Sequence, residues 1–254
     1  GGMLGLEIPA LAGVLAGAVI AGFVTGFAGF GTGLVASGLW FHALPAGMVP
    51  PLVALSSVAA QCAGMIAIRP VFSWPAATPF LIGGLVGIPA GGFALAALSP
   101  SSLRLAIGVF LVAYALFRLI RTRPWVIAAR AGRLADAIVG GVGGFLGGFA
   151  GLSGPVPIIW LQGKGLPFGR QRAIFQPFNM VVLTVASLLM AWEGRLDGAV
   201  LQVAVLVLPL TLAGAWIGGK LYRRIEEKAV IRIVLVLLFL SGMVLIAQSL
   251  QRAA

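Results

Sequence analysis

Eight apolar segments, most about as long as a bilayer is thick, follow one another with short polar intervals between them. They cover 8–41, 46–68, 75–98, 102–120, 137–161, 173–192, 197–219 and 229–250. A membrane-crossing helix needs about 20 apolar residues, so most segments are predicted to be one helix each. Composition agrees. The 254 residues are 60% hydrophobic and 9% charged, where a soluble domain is about a quarter charged. Such a chain cannot cover its surface with polar groups in water, and the fold class predicted is an all-α polytopic membrane protein. No soluble domain fits, and no cleaved leader is expected. The lone cysteine, Cys62, excludes an intramolecular disulfide and a cysteine metal cluster; it is expected to pack as a small apolar group.

The chain also repeats itself. "GFVTGFAGFGTGLV" (22–35) laid over "GFLGGFAGLSGPVP" (144–157) matches at six of fourteen positions without a gap, an offset of 122. The same offset aligns Leu44-Pro45 with Leu166-Pro167 and Gly47 with Gly169; further on, at an offset of 127, the pair Gly91-Gly92 meets Gly218-Gly219. Two halves are therefore expected: membrane repeat 1 over 1–121, a cytoplasmic basic linker over 122–136, and membrane repeat 2 over 137–254. Each half has one glycine-rich segment followed by three ordinary ones.

Two topologies follow. If the glycine-rich segments are plain spans, the halves are parallel and eight spans result. If each is a broken, re-entrant hairpin that returns to its starting side, each half is a hairpin plus three transmembrane helices, and the repeats are inverted. Short cytoplasmic loops collect Lys and Arg. With the Arg118–Arg133 link in the cytoplasm, the hairpin topology places 14 of the 17 basic residues inside and 3 outside, whereas plain spans place 8 inside and 9 outside. The charges select the inverted hairpins. The net charge of +11 is thus read as a topology signal. A nucleic-acid face is not expected, since the basic residues lie in short loops between apolar segments.

The stretch "GGFAGLSGPVP" (147–157) puts poor helix formers at membrane depth. Broken backbone there survives only against protein or a wet cavity. Transporters with inverted repeats use such breaks: half-helix N-termini, with free N–H groups and a positive dipole end, point at an anionic substrate near the midplane. Ser153 is expected to cap such a helix and Pro155 to sit in its first turn. Thr32 in "GFGTG" holds the equivalent place one residue off. Glycines in membrane helices also allow close packing. Gly22 and Gly144 are assigned to that role, and Gly31, Thr32, Gly33, Ser153 and Gly154 to the substrate site.

The duplicated "GFxxGFAG" runs, the Leu-Pro after each, the chain length and the central basic link resemble the TauE/SafE family of sulfite exporters, also called the TSUP anion permeases. The resemblance covers essentially the whole chain. It implies transport of a sulfur oxyanion or organosulfonate such as sulfite, sulfoacetate or thiosulfate, in a bacterial-type cytoplasmic membrane. The second half has "GLSGP" where the first has "GFGTG", so the halves are not equivalent.

Other polar residues at depth are few. Ser56, Ser57 and Gln61 serve either the site or hydrogen bonds between helices. Gln176 and Asn179, flanking Pro177, are assigned to the site, and Ser57 aligns with Asn179 at the common offset. Arg170 and Arg172 open that segment on the cytoplasmic side, where they either gather anions at the mouth or simply fix topology. His42 is expected at an interface. Glu7, Asp136, Glu193, Asp197, Glu226 and Glu227 all sit near segment ends, so no carboxylate is placed for a mid-membrane proton or sodium relay. No catalytic constellation, metal site or cofactor is expected. The expected partners are a small inorganic or organosulfonate anion and membrane lipid, with no nucleic acid; a homodimer is one assembly open to such a chain. Export of an anion by alternating access is the leading functional expectation. A passive anion channel on the same hairpins is the alternative, and a membrane enzyme acting on lipid has no nucleophile–base pair to support it.

Overall fold

Proline and glycine mark most of the helix boundaries. In the computed structural model, which describes residues 5–121 and 125–253, ten α-helices follow one another. They are α1 (Ile8–Ala28), α2 (Thr32–Ala43), α3 (Val49–Ile68, entered through the 3-10 turn Ala46–Met48), α4 (Trp74–Ala97), α5 (Pro100–Ile120), α6 (Arg133–Ala150), α7 (Pro155–Gly163), α8 (Phe168–Trp192), α9 (Gly198–Leu221) and α10 (Glu227–Ala253). Five of them, α1, α3, α4, α5 and α7, carry proline in the first turn, where its missing N–H has no helical partner to lose. No strand occurs among the described residues. Of the basic linker expected over 122–136, residues 122–124 lie outside the described part. Residues 133–136 belong to the first turn of α6.

Seven helices, α1, α3, α4, α5, α8, α9 and α10, are long and apolar enough to cross a membrane. The sequence had suggested six full spans and two hairpins. The difference lies in α1. The break in segment 8–41 falls late, after Ala28, so its first arm alone is 21 residues, about 31 Å at 1.5 Å per residue. The second arm, α2, has 12 residues and its counterpart α7 has 9, about 18 and 14 Å, or half a bilayer core.

Both short helices double back. Trp40 on α2 donates from Nε1 to the carbonyl of Val14 on α1 (3.1 Å), while at the break Thr32 reaches Thr25. On the other arm, Lys164 at the end of α7 donates from Nζ to both oxygens of Asp136 at the start of α6 (2.8 Å each), and Trp160 Nε1 donates to Oδ1 (2.8 Å). Arg118 at the end of α5 donates to Gln162 Oε1 (2.7 Å), and the Ile127 and Ala128 N–H groups donate to the Gly163 carbonyl. The basic link is therefore tied to the α6–α7 base.

Glycine registers join the two halves. Gly22 and Gly26 on α1 lie against the α9 backbone at Thr211 and Ala215, and Gly214 and Gly218 on α9 lie against α1 at Val19 and Phe23. Gly83, Gly87 and Gly91 on α4 meet α6 at Ala137, Gly141 and Phe145, and Gly140, Gly144 and Gly148 return the contact at Phe80, Gly84 and Ile88. A Cβ at any of these positions would overlap a backbone carbonyl of the partner helix. Without a hydrophobic drive between helices in lipid, such close backbone approach is what small residues at i, i+4 spacing supply. Both pairs run parallel. Each glycine-rich helix thus packs on a helix from the opposite half, α1 on α9 and α6 on α4. The other pairings fix direction. Gly108 of α5 meets Gly242 and Leu245 of α10, and Val112 also meets Gly242, so α5 and α10 are antiparallel. Gly84 of α4 meets Phe178 and Val182 of α8, and Gly92 meets Leu189 and Glu193, so α4 and α8 are parallel.

Candidate functional site

The two breaks meet. Gly29 and Gly151 end α1 and α6 in the left-handed region, at φ 86° and 74°, a conformation glycine adopts without strain. From there the backbone turns into α2 and α7. Gly33 rests against Gly151 and Leu152, and Gly154 lies against Phe30 and Asn179. Both helix N-termini, Thr32 and Pro155, open into one cavity of about 20 Å³, room for about one water molecule. A helix start is the positive end of the helix dipole and leaves its first N–H groups without helical partners; of the first three positions in each helix, the Thr32 N–H is taken by Thr25 Oγ1 and Pro155 and Pro157 carry none.

The cavity is built from matched positions. Phe30 and Leu152, Gly31 and Ser153, Thr32 and Gly154, Gly33 and Pro155, Ser57 and Asn179, and Gln61 and Leu183 all line it. Each pair is separated by the offset of 122 read in the sequence. Thr25, Leu34 and Gly151 complete the wall. The lining holds hydroxyls, amides and backbone among the apolar side chains of Phe30, Leu34, Leu152, Pro155 and Leu183, and no charged group.

Six of the seven residues assigned to the site from sequence, Gly31, Thr32, Gly33, Ser153, Gly154 and Asn179, line this cavity. Two have partners other than those expected. Gly154, not Ser153, holds the capping position of α7, and the Ser153 hydroxyl donates instead to Asn179 Oδ1 (3.0 Å). Thr32 is the first helical residue of α2 rather than its cap. Its hydroxyl donates to the Ala21 carbonyl (3.2 Å) and shares a hydrogen bond of 2.6 Å with Thr25 Oγ1, which in turn accepts from the Thr32 N–H (2.8 Å). Thr25 was not singled out from sequence: its match in the second half is Gly147, and it reads as part of a glycine run. Gln61, left open, both lines the cavity and donates from Nε2 to the Gly29 carbonyl (2.9 Å), bracing the first break.

Gln176 lies outside the cavity. It is buried one helical turn below Asn179, with its amide oxygen turned to accept from Arg172 Nε (3.0 Å) and Nη2 (3.1 Å). The two arginines that open α8 part company: Arg170 is exposed, whereas Arg172 is only 5% exposed. The Arg172 Cζ stands 5.2 Å from the centre of the Tyr222 ring, just past the end of α9. Among the described residues no group of three or more His, Cys, Asp or Glu side chains is placed to hold a metal ion.

Fold and cavity together define a class: a multi-pass helical membrane protein with an uncharged cavity, part polar and part apolar, where two broken helices meet. The chain belongs to the family described as "Sulfite exporter TauE/SafE", which matches residues 14–245. It is thus a member of a family of membrane exporters rather than of enzymes, and a multi-pass protein of the cytoplasmic membrane. It is similar to the "Probable sulfite/organosulfonate exporter TauE" of Cupriavidus necator, with 28% identity over 198 residues, 76% of each chain. No solved structure matches the chain.

Proposed function

We propose that the protein is a secondary transporter that exports sulfite or a related sulfur oxyanion or organosulfonate by alternating access. The anion is held between the N-termini of α2 and α7. The observation that carries this reading is the convergence of both helix starts, with Ser57, Gln61, Ser153 and Asn179, on one uncharged cavity in a member of the sulfite exporter family. Helix-terminal N–H groups and neutral side-chain donors suit an anion that must be released after each cycle. A cavity with room for about one water is smaller than a sulfur oxyanion, which fits a carrier caught closed better than an open pore.

The topology proposed with it is an inverted repeat. The α1–α2 hairpin enters from outside and the α6–α7 hairpin from the cytoplasm, repeat 1 covers 1–121 and repeat 2 covers 137–254. The antiparallel α5–α10 and parallel α4–α8 pairs support this, since eight plain spans would reverse both relations.

An anion leaving the cell gains about 2.3 kcal/mol per charge and per 100 mV of inside-negative potential, so export needs no co-transported cation. Flux of sulfite into proteoliposomes is expected to saturate and to rise with an inside-positive potential at equal pH without sodium. Flux that never saturates would make the protein a channel. Flux that stays at zero until a proton or sodium gradient is imposed would overturn uncoupled transport.

A further inference from the structure

The polar groups of the cavity are all neutral, yet a guanidinium is buried seven residues earlier on the same helix. Seven residues of α8, from Asn179 back to Arg172, span about 10 Å, and Gln176 lies between them on the same face. Arg172 is 5% exposed. With the Gln176 amide oxygen turned toward it, its Nε and Nη2 donate to that oxygen, and its Cζ stands over the Tyr222 ring. Its Nη1 is fully buried and has no hydrogen-bond partner. Neither of the ion pairs among the described residues includes it, and its nearest acidic neighbours are the Tyr222 hydroxyl and the Glu227 carboxylate. A buried, permanently charged group left with a free donor, five residues into a helix long enough to span, is a default marker of a functional site.

One residue links Arg172 to the cavity. The α-carbon of Gly29, at the α1 break, faces the Arg172 Cζ and the Phe175 ring, while the Gly29 carbonyl accepts from Gln61 in the cavity wall. Below the guanidinium, Tyr222 packs against Phe27 and Phe168 with ring centres 6.1 and 6.3 Å apart, on the side of the α9 C-terminus.

The geometry points to a second anion station at Arg172, between the cytoplasm and the cavity. It rests on the transport reading above. The Nη1 group takes one oxygen of a small sulfonate or sulfite anion, Gln176 holds the guanidinium plane as a positioning residue, and the Tyr222 ring closes the station from the cytoplasm. The neutral cavity then receives an anion already stripped of water by a full charge. On this assignment the preference for anions over neutral solutes is set at Arg172 before the cavity is reached. A guanidinium that served only to balance the C-terminal dipole of α1 would affect folding and leave anion affinity unchanged.

The test is saturable sulfite flux in proteoliposomes for the wild type, Arg172→Lys and Arg172→Gln, with the melting temperature of each protein measured without anion. Arg172→Gln is expected to raise the half-saturating concentration about tenfold or more, the scale of one charge-assisted contact. Arg172→Lys is expected to fall between, at about threefold, because the ammonium keeps the charge but cannot hold Gln176 and reach the Nη1 position together. A folded Arg172→Gln protein with wild-type half-saturation overturns the station. So do equal losses for Lys and Gln, which would mark a structural role. If Arg172→Gln does not fold, Arg172→Lys decides, and unchanged half-saturation overturns the contact. A wild-type protein that moves none of sulfite, thiosulfate or sulfoacetate overturns the transport reading itself, and the station with it.

Discussion

Replacing Gly144 by alanine tests the glycine register between α4 and α6 with the smallest side chain available. A Cβ on Gly144 would stand 2.6 Å from the Gly84 Cα, where ordinary contacts begin at 3.4 Å. The obstacle is backbone, so no rotamer change relieves it. The Gly84 carbonyl oxygen is closer still, so the helices must part by more than the roughly 0.8 Å that the Cα alone requires, and five further glycine contacts along the same seam loosen with them. Overpacking of this kind costs about 1–3 kcal/mol, which for a chain of this size is about 2–12 °C in melting temperature. Gly13, on α1, is the control, since a Cβ there meets nothing within 4 Å. Gly13→Ala is expected to hold or raise the melting temperature, because alanine favours the helix by up to about 1 kcal/mol. Both variants are compared with the wild type by detergent-solubilised thermal melting followed by size exclusion. A Gly144→Ala protein that melts at or above Gly13→Ala would refute the backbone-to-backbone seam.

Three more outcomes are expected. Ser153→Ala removes the hydrogen bond that orients Asn179, worth about 1 kcal/mol, and is expected to raise half-saturation for sulfite about fivefold; Thr32→Ala, whose hydroxyl bonds only to α1, is expected to change it less than about twofold. Equal effects in the flux assay would sink the distinction. Gly154→Leu should abolish flux in a protein that still elutes as a folded species, since its Cβ alone would stand 3.2 Å from Asn179 Nδ2 and 3.3 Å from Phe30 Cβ; normal flux would remove the site from this break. In a Cys62→Ala background, a cysteine at Gly194 is expected to react with an impermeant reagent applied outside cells and one at Gly169 is not. Gly169 is exposed, whereas the nearby Gly163 is buried against Trp125 and Ile127, and reversed labelling would invert the proposed topology.

The sequence exposed the membrane class and the offset of 122 because both are written in local composition. The offset reaches into the cavity wall: Ser57 and Asn179, 122 residues apart, face one space. Side-chain partnership was harder to read. Ser153 in "LSGP" has the form of a helix cap, but the helix starts one residue later, and tertiary proximity gives its hydroxyl to Asn179. Gln176 and Asn179 flank a proline and were read as one group. Their three-residue separation is enough to turn Gln176 down the helix toward a buried arginine. Arg170 and Arg172 look alike in a basic loop, and only the tertiary position of Tyr222 and Gly29 separates them. Which helix each glycine row meets was equally hidden, because α1 and α9, or α4 and α6, carry no mark of each other beyond a shared four-residue spacing.

The exchange of partners between halves sets a timetable for synthesis. A ribosome adds about 5–20 residues per second. The α1 face carrying Gly22 meets its partner at Thr211, which is made about 190 residues later, so α1 waits roughly 10–40 s in the membrane with its glycine furrow uncovered. The α4 helix waits only about 3–12 s, because α6 follows within 60 residues. During its longer wait, the α1 furrow is open to lipid tails or to the corresponding face of another nascent chain. Each of these has to leave when α9 arrives, so the packing of α1 is completed only after almost the whole chain has been made.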